Sequence, residues 1–395
     1  MSFDIALSGI NAINSQLDTI SNNIANVNTT GFKSNRANFS ATYSGLQPTG
    51  TEINSYTQSI DLGGNVVSTG NSLDAAISGE GFFVTKNAAG QQLYTRAGSF
   101  SQDKNGNIVD SFGNDVQGYA AVPGSTTLGP MGNLVVPTGQ IPAQATTTLN
   151  YVANLSADWT PPIVAPFNAV DPQTYNSSNV SVVYDSLGVQ HSLTQYFVNT
   201  GPNQDTVYYT LDGNAVAATT AMTFGATGAL TNPAAPVALV LGAPPGAAPL
   251  TVNISYLGTT QFSGSAATST NSANGYASGT FTGVQLSDNG SVVAQYSNGQ
   301  TQIVGTIALA TFPDDGALTP VSDTAWASSL ASGTPLYFTP GTGTAGTLSA
   351  GSLEQSNVNV TAQLVDLMSA QNNYQANSKV LQTQSQMLQT LIQAI

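Results

Sequence analysis

The chain has no cysteine, one histidine and only six lysines and arginines in 395 residues. Without cysteine there are no disulfides, thiol nucleophiles or thiolate metal sites. His191 alone cannot furnish a multi-histidine metal cage, and no elbow or oxyanion motif accompanies it for Ser/His/Asp chemistry. Six cations face 20 carboxylates, a net charge of −14 with no Lys/Arg cluster. That balance excludes a phosphate-tracking groove and argues against nucleic acid and against an anionic membrane surface. Charged residues make up 7% of the chain, against roughly 25% in ordinary soluble domains. The surface is therefore mainly neutral, and little charge repulsion keeps copies apart. The first basic residue is Lys33, so no charged leader region precedes it, and no apolar run reaches the roughly 18 residues of a membrane span. The expectation is no membrane insertion, and no cleaved signal peptide if the chain leaves the cytoplasm.

The two ends are alike in kind. Residues 1–30 and 356–395 contain no proline, almost no glycine, and only Asp4, Asp18, Asp366 and Lys379 as charged side chains. Phe3, Ala6, Ile10, Ile13, Leu17, Ile20, Ile24 and Val27 alternate steps of three and four. This heptad stripe predicts a helix about 37 Å long. Val360, Leu364, Leu367, Tyr374, Leu381, Leu388, Ile392 and Ile395 fit the same frame near the other end, with Gln371, Ser378 and Ser385 as polar members. Val380, Met387 and Leu391 form a second stripe on an adjoining face.

Burying eight such side chains yields on the order of 10–20 kcal/mol gross, while ordering such a segment costs about 25–50 kcal/mol of backbone entropy. One tail alone should not fold. Asn22, Asn23, Asn26 and Asn28 are poor helix formers, so propensity does not make up the difference. Positions that carry Glu and Lys in a two-stranded coiled coil hold Ser, Asn, Gln and Leu. Such flanks suit a helix surrounded by several like helices, which polymerisation supplies.

Between the tails the period turns to two. Residues 82–84, 93–95, 108–109, 180–184, 191–198, 206–211, 281–286, 292–296 and 303–312 read as strands. Asn105-Gly106, Asn289-Gly290 and Asn298-Gly299 read as two-residue hairpin turns, both central residues tolerating positive φ. Residues 214–278, rich in Ala, Thr, Ser, Gly and Pro, read as short strands on long loops. The fold class is mainly β with α-helical coiled-coil termini, discontinuous and multi-domain, so the two ends must lie together.

Three strings invite chemistry. Gly341-Thr342-Gly343-Thr344-Ala345-Gly346 matches a dinucleotide fingerprint, but Pro340 precedes it and no helical periodicity follows, so it reads as a glycine-rich turn. Asp103-Lys104-Asn105-Gly106-Asn107 resembles a calcium loop with its glycine misplaced and no closing glutamate, so it reads as a hairpin turn. Asp314-Asp315, in a Pro-Asp-Asp-Gly turn, is expected to point its carboxylates apart into solvent rather than across a glycosidase cleft. His191 alternates with Leu193 and Phe197 on one side of a strand and reads as a hydrogen-bonded structural histidine. The reading assigns no catalytic residue, no cofactor and no metal.

Ser21 through Lys33, with Asn22, Asn23, Asn26, Asn28, Gly31 and Phe32 and continuing to Arg36 and Phe39, resembles the N-terminal signature of the bacterial flagellar rod and hook axial proteins. Gly79-Glu80-Gly81-Phe82-Phe83-Val84, then Tyr94-Thr95-Arg96-Ala97-Gly98-Ser99-Phe100, is similar to their shared β-domain motif. Leu353 to Val358 and Tyr374 to Lys379 resemble their C-terminal signature. Tyr184 to Gly188 with His191 to Phe197 resembles the central insert of the hook members of this family.

The resemblance implies a structural subunit of the flagellar hook, a curved tube that joins rod to filament as a universal joint. It implies an inner helical tube in which Phe3, Ile10, Ile13, Leu17, Ile20, Ile24, Val27, Leu364, Leu367, Leu381, Leu388 and Ile392 form the assembly interface. It further implies a helical domain of 1–32 with 356–395, an extended linker at 33–70, an inner β-domain of 71–145 with 275–355 and an outer β-rich domain at 146–274. Implied partners are other copies of the chain, the distal rod, the hook cap, the hook-filament junction proteins and the type III export apparatus. A distal rod protein, a secreted β-rich adhesin and a glycosidase at Asp314-Asp315 remain as alternatives.

Overall fold

A computed structural model of the chain describes residues 2–122 and 127–393. The chain divides into two compact units. The first comprises residues 1–138, 283–295 and 301–395, and the second residues 139–282 with 296–300.

In the first unit, helix α1 (Ser2–Ala25) and helix α2 (Val360–Gln393) carry the two heptad stripes. α1 ends two residues short of Val27, which lies in the turns that follow. There the Asn26 amide shares the carbonyls of Asn22 and Asn23, and the Asn26 side chain receives the Thr29 hydroxyl. Short polar side chains that bond nearby backbone compete with helix continuation. Ile395, the last residue placed in the heptad frame of α2, lies outside the described residues.

The segment 33–70, expected to be extended, contains a long antiparallel hairpin of β1 (Asn35–Ser44) and β2 (Gln47–Gln58). Alternating Phe39, Ala41 and Tyr43 on β1 give it the period of a strand. Its tip is tied to α1, because the Thr51 amide donates to Ser8 Oγ at 3.2 Å.

The rest of the unit is a sheet interleaved from both ends of the sequence. Strand Phe82–Lys86 pairs with Gln92–Thr95, with Asp115–Ala121 and with Leu309–Thr311. Thr347–Ala350 pairs with Ala75–Ser78, and Ser352–Glu354 with Val66–Ser68. The expected strand 303–312 is two strands, Thr301–Ile307 and Leu309–Thr311, which break at Ala308 to pair with different partners. Phe82, Val84, Tyr94, Ala310, Leu318 and Trp326 form one core, with the Phe82 and Trp326 rings edge to face at 5.5 Å.

The second unit packs two five-stranded sheets. One runs Ser177–Tyr184, Gln190–Gly201, Gln204–Leu211, Asn214–Phe224 and Leu230–Asn232 in sequence order. The other centres on Thr148–Ser156, which pairs parallel with Leu250–Ser255 and antiparallel with Ala267–Ala273. Asn214–Phe224, expected to be loop-rich, is an 11-residue strand. Its Ala, Val and Thr side chains are small or β-branched and suit a pleated surface without long apolar runs.

Between the sheets lies a buried chain of hydroxyls and amides. Tyr256 Oη donates to Gln195 Oε1 at 2.6 Å, Gln195 Nε2 to Ser181 Oγ, and the Tyr209 and Tyr256 hydroxyls meet at 2.8 Å. Asp205, buried nearby in sequence, accepts from Asn199 Nδ2 and Gln261 Nε2, both at 3.0 Å. Burial pushes its carboxyl up to about 6, against the pull of the Asn199 bond.

The three Asn-Gly turns share one design that differs from the expected two-residue turn. Tyr296 N bonds Gln300 O, Gly299 N bonds Tyr296 O, and Asn298 Oδ1 accepts from the Gln300 amide. Only the glycine takes positive φ, +77°, which makes a three-residue loop closing on a glycine bulge. Asparagine and aspartate side chains cap amides two residues on, and so favour this form. In the 103–107 turn Asp103 Oδ1 accepts from the Asn105 and Asn107 amides. Gly341–Gly346 likewise closes as a turn, through the Gly341 amide on Gly346 O.

Two outcomes test this packing. A Cβ at Gly98 would overlap the Ala75 carbonyl oxygen and touch Phe83, so Gly98→Ala is expected to cost the first unit about 2–3 kcal/mol in urea unfolding. Asp205 has its folded-state pKa raised, so its ionisation costs stability as pH climbs from 3.8 to about 6. Between pH 3.5 and pH 8 the effect of Asp205→Asn on the second unit is expected to shift by up to about 3 kcal/mol in the variant's favour, over a pH-independent cost of setting one amide NH2 against Asn199 or Gln261. Equal effects at both pH values in thermal melts contradict that.

Candidate assembly interface

α1 and α2 pack antiparallel through the faces that the sequence marks. Ile13, Ile20 and Ala370 are buried together, with Leu17, Ile24 and Leu367 packed against them. Asn23 Nδ2 donates to Gln363 Oε1 at 2.9 Å, and Gly9 faces Asn377. The same register holds at both points and sets the start of α1 beside Gln384. The two helices measure about 36 and 51 Å, so the last turns of α2 run past α1. Leu388 and Ile392, which continue the α1-facing stripe, are consequently 54% and 73% exposed.

The second stripe is also uncovered: Val380, Met387 and Leu391 are 47%, 60% and 59% exposed. It lies roughly a quarter turn round the helix from the face that meets α1. Ala370 is the one buried residue among the described residues of α2. Of the other expected interface residues, Ile10 is buried, Val27 and Leu381 are half-buried, and Phe3 and Leu364 are exposed. The pairing therefore brings together Ile13, Leu17, Ile20, Ile24 and Leu367, and leaves Phe3, Leu364, Leu388 and Ile392 facing outward.

Both helices spring from one root. The Lys33 ammonium donates to Glu354 Oε1 at 2.7 Å and to the Leu62 carbonyl at 2.7 Å. Gly64 N donates to the same carboxylate oxygen at 2.9 Å, and Arg96 Nη1 approaches Oε2 at 3.5 Å. All three charged side chains are at least 95% buried. Burial pulls both Lys33 and Arg96 down from their usual values, partly offset by the Glu354 carboxylate. Arg96 also donates Nη2 to the Gly79 carbonyl and stacks over Phe82 at 5.4 Å, while its Nε has no partner among the described residues.

Two asparagines complete the root. Asn23, buried, exchanges two hydrogen bonds with the Asn35 backbone. Asn357 accepts from Ser34 N and donates to the Ser59 and Leu62 carbonyls.

The signature residues divide between these roles. Asn23, Gly31, Phe82, Phe83, Arg96 and Gly98 are buried, and Gly31 and Gly81 adopt positive φ. Phe32 and Asn26 are half-buried, whereas Asn22, Asn28 and Tyr374 face solvent. Asp315 differs from its expected solvent position: it is partly buried, lines an open cavity with Asp61, Glu80, Arg96 and Glu354, and burial beside Asp61 pushes its carboxyl up. Among the described residues no group of three His, Cys, Asp or Glu could hold a metal, and no helix is long and apolar enough to cross a membrane.

Sequence reasoning missed the Lys33–Glu354–Arg96 cluster and Asn357. The available signal was scarcity: of six basic residues, Lys33, Arg36, Arg96 and Lys379 fall inside the signature motifs, which also hold Glu80 and Glu354.

Helical ends joined at a charged root on an interleaved β-unit are matched by models of flagellar rod and hook proteins. Family models agree along the chain: a flagella basal body rod protein model matches residues 3–33, and a flagellar hook protein FlgE/F/G D1 domain matches 76–149. A flagellar basal body protein FlaE D2 domain matches 154–276, and a flagellar basal body rod FlgEFG protein C-terminal model matches 349–394.

The flagellar hook protein FlgE of Escherichia coli K12 is 38% identical over 99% of both chains. That of Treponema pallidum is 32% identical over 98% of this chain and 97% of its own. A crystal structure of Helicobacter pylori flagellar hook protein FlgE2 shares the fold at TM-score 0.55 and 14% identity, covering 73% of this chain and 100% of the other. The chain belongs to the flagellar hook protein FlgE family.

The root yields a direct prediction. Glu354→Gln leaves two buried cations without their counter-charge and is expected to destabilise the first unit by about 3–5 kcal/mol. The double variant Lys33→Met/Glu354→Gln is expected to recover part of the loss, because one orphaned charge goes with it. A double variant no more stable than the single one in urea unfolding contradicts the pairing.

Proposed function

We propose that the chain is the structural subunit of a bacterial flagellar hook, a self-assembling curved tube that transmits torque from rod to filament and catalyses nothing. The observation that carries the reading is α2, which has two apolar faces of which α1 covers part of one. Phe3, Leu364, Leu388 and Ile392, together with Val380, Met387 and Leu391, are exposed apolar positions that helices of neighbouring copies bury in the polymer, in a coiled-coil inner tube. Each such side chain contributes about 1.5–3 kcal/mol when fully covered.

In this reading residues 1–32 with 356–395 act as the tube domain, the 33–70 hairpin as its connection, 71–145 with 275–355 as the inner β-domain and 146–274 as the outer one. Export follows the flagellar type III route to the extracellular hook. The distal rod, hook cap and hook-filament junction proteins are its neighbours. Outer contacts made of neutral small polar groups are shallow and alike, which lets neighbouring copies shift between near-equal arrangements as the tube bends.

Electron microscopy of the full chain under salting-out conditions, which strengthen apolar burial, tests the proposal. Curved tubes are expected from the natural sequence, and none from Val380→Ser/Met387→Ser/Leu391→Ser, whose monomer keeps its α1–α2 contact. Straight tubes favour a rod protein, and tubes from the triple variant overturn the role of the second stripe.

A further inference from the structure

The second unit contains the chain's one histidine, and its surroundings are built for a proton. His191 Nδ1 lies 2.6 Å from Asp212 Oδ2 and Nε2 lies 3.4 Å from Asp185 Oδ2, so both ring nitrogens face carboxylates. A neutral imidazole has one donor and one acceptor, and an acceptor facing a carboxylate is repelled; only the imidazolium donates on both sides. Asp185 and Asp212 are the charged groups that act on the ring.

The two carboxylates belong to different hairpins. Asp185 Oδ1 caps the 185–189 turn by accepting from the Leu187 and Val189 amides, both at 2.9 Å. Asp212 opens the Asp212-Gly213 turn with φ +50° and accepts from the Ser192 amide at 2.8 Å. The ring therefore ties together two turns at one end of the sheet. Asp185 is 98% buried and relies on the ring for its remaining oxygen.

We propose that His191 is a proton-operated clamp: protonated, it pins the 185–189 and 211–214 turns together, and losing the proton releases them, coupling external pH to the rigidity of this end of the unit. Burial by itself disfavours the imidazolium, but hydrogen bonds to Asp212 and Asp185 outweigh it and hold the pKa above the ordinary value. Both carboxylates are held below theirs: in Asp185 the turn amides and the ring outweigh burial, and in Asp212 the ring and the Ser192 amide do so. A raised folded-state pKa places the clamp's contribution fully below about pH 6.5 and removes it as pH rises through the folded value.

The test is amide hydrogen exchange at Leu187, Val189 and Ser192 in the full chain carrying Asp205→Asn, so that the other titrating buried carboxylate does not contribute. After correction for intrinsic exchange, protection is expected to fall about ten- to hundred-fold between pH 5.5 and 8.5, the worth of hydrogen bonds to a charged group. The imidazole resonances are expected to titrate above pH 6.5. His191→Gln, which keeps a hydrogen-bonding side chain without the charge, is expected to show low protection that does not change with pH. A ring midpoint at or below 6.5 overturns the proposal even if that variant does not fold, and so does an equal pH response in the variant.

Discussion

One carboxylate holds the first unit together. Glu354 lies on the last strand before α2 and accepts from Lys33, just after α1, and from the Gly64 amide, with Arg96 of the inner sheet closing the other side. Lys33, Gly64 and Arg96, up to 321 residues from Glu354 in sequence, meet on its two oxygens. In a dry site, a carboxylate stripped of water is tolerated only when its lone pairs are filled by well-aligned donors. The requirement is mutual, since neither cation has another carboxylate within ion-pair distance among the described residues. The charged root thereby selects one mutual placement of the chain's outward and return paths, and α1 and α2 leave it side by side.

Charge is otherwise used sparingly, and mostly for local work. Asp103, Asp110 and Asp185 each spend one oxygen on two backbone amides of a turn, so aspartates that look free in the sequence are capping loops. The faces left to solvent are chiefly uncharged, and they include large apolar side chains such as Leu46, Ile163, Val170 and Leu330. On α2, Val380, Met387 and Leu391 leave a second apolar stripe exposed as well.

Helix pairing in a single chain also explains how the ends can be ordered at all. α1 has a buried stripe only because α2 and the β1–β2 hairpin lie against it, and the Thr51–Ser8 hydrogen bond ties the hairpin to the first turns of the helix. A partner from the far end of the same sequence supplies part of the burial that one tail lacks. The longer helix keeps an exposed apolar surplus at Leu388, Leu391 and Ile392.

Periodicity determined the local structure: the three-and-four spacing of Ile10, Ile13, Leu17, Ile20 and Ile24, and the alternation through His191 to Val198, needed no tertiary information because each follows from backbone geometry alone. Composition excluded thiol and multi-histidine chemistry for the same reason, since it counts groups rather than placing them. The long strand at 214–224 and the split at Ala308 were hidden, because small and polar side chains carry little period and the partners of a strand are not written in its own sequence. The hairpin at 35–58, by contrast, carried its period in Phe39, Ala41 and Tyr43 and was passed over. Asp315 beside Arg96, His191 between two aspartates, and Glu354 between two cations were decided only by the tertiary fold. Residues far apart in sequence acquire their electrostatics from neighbours that the chain must first fold to meet.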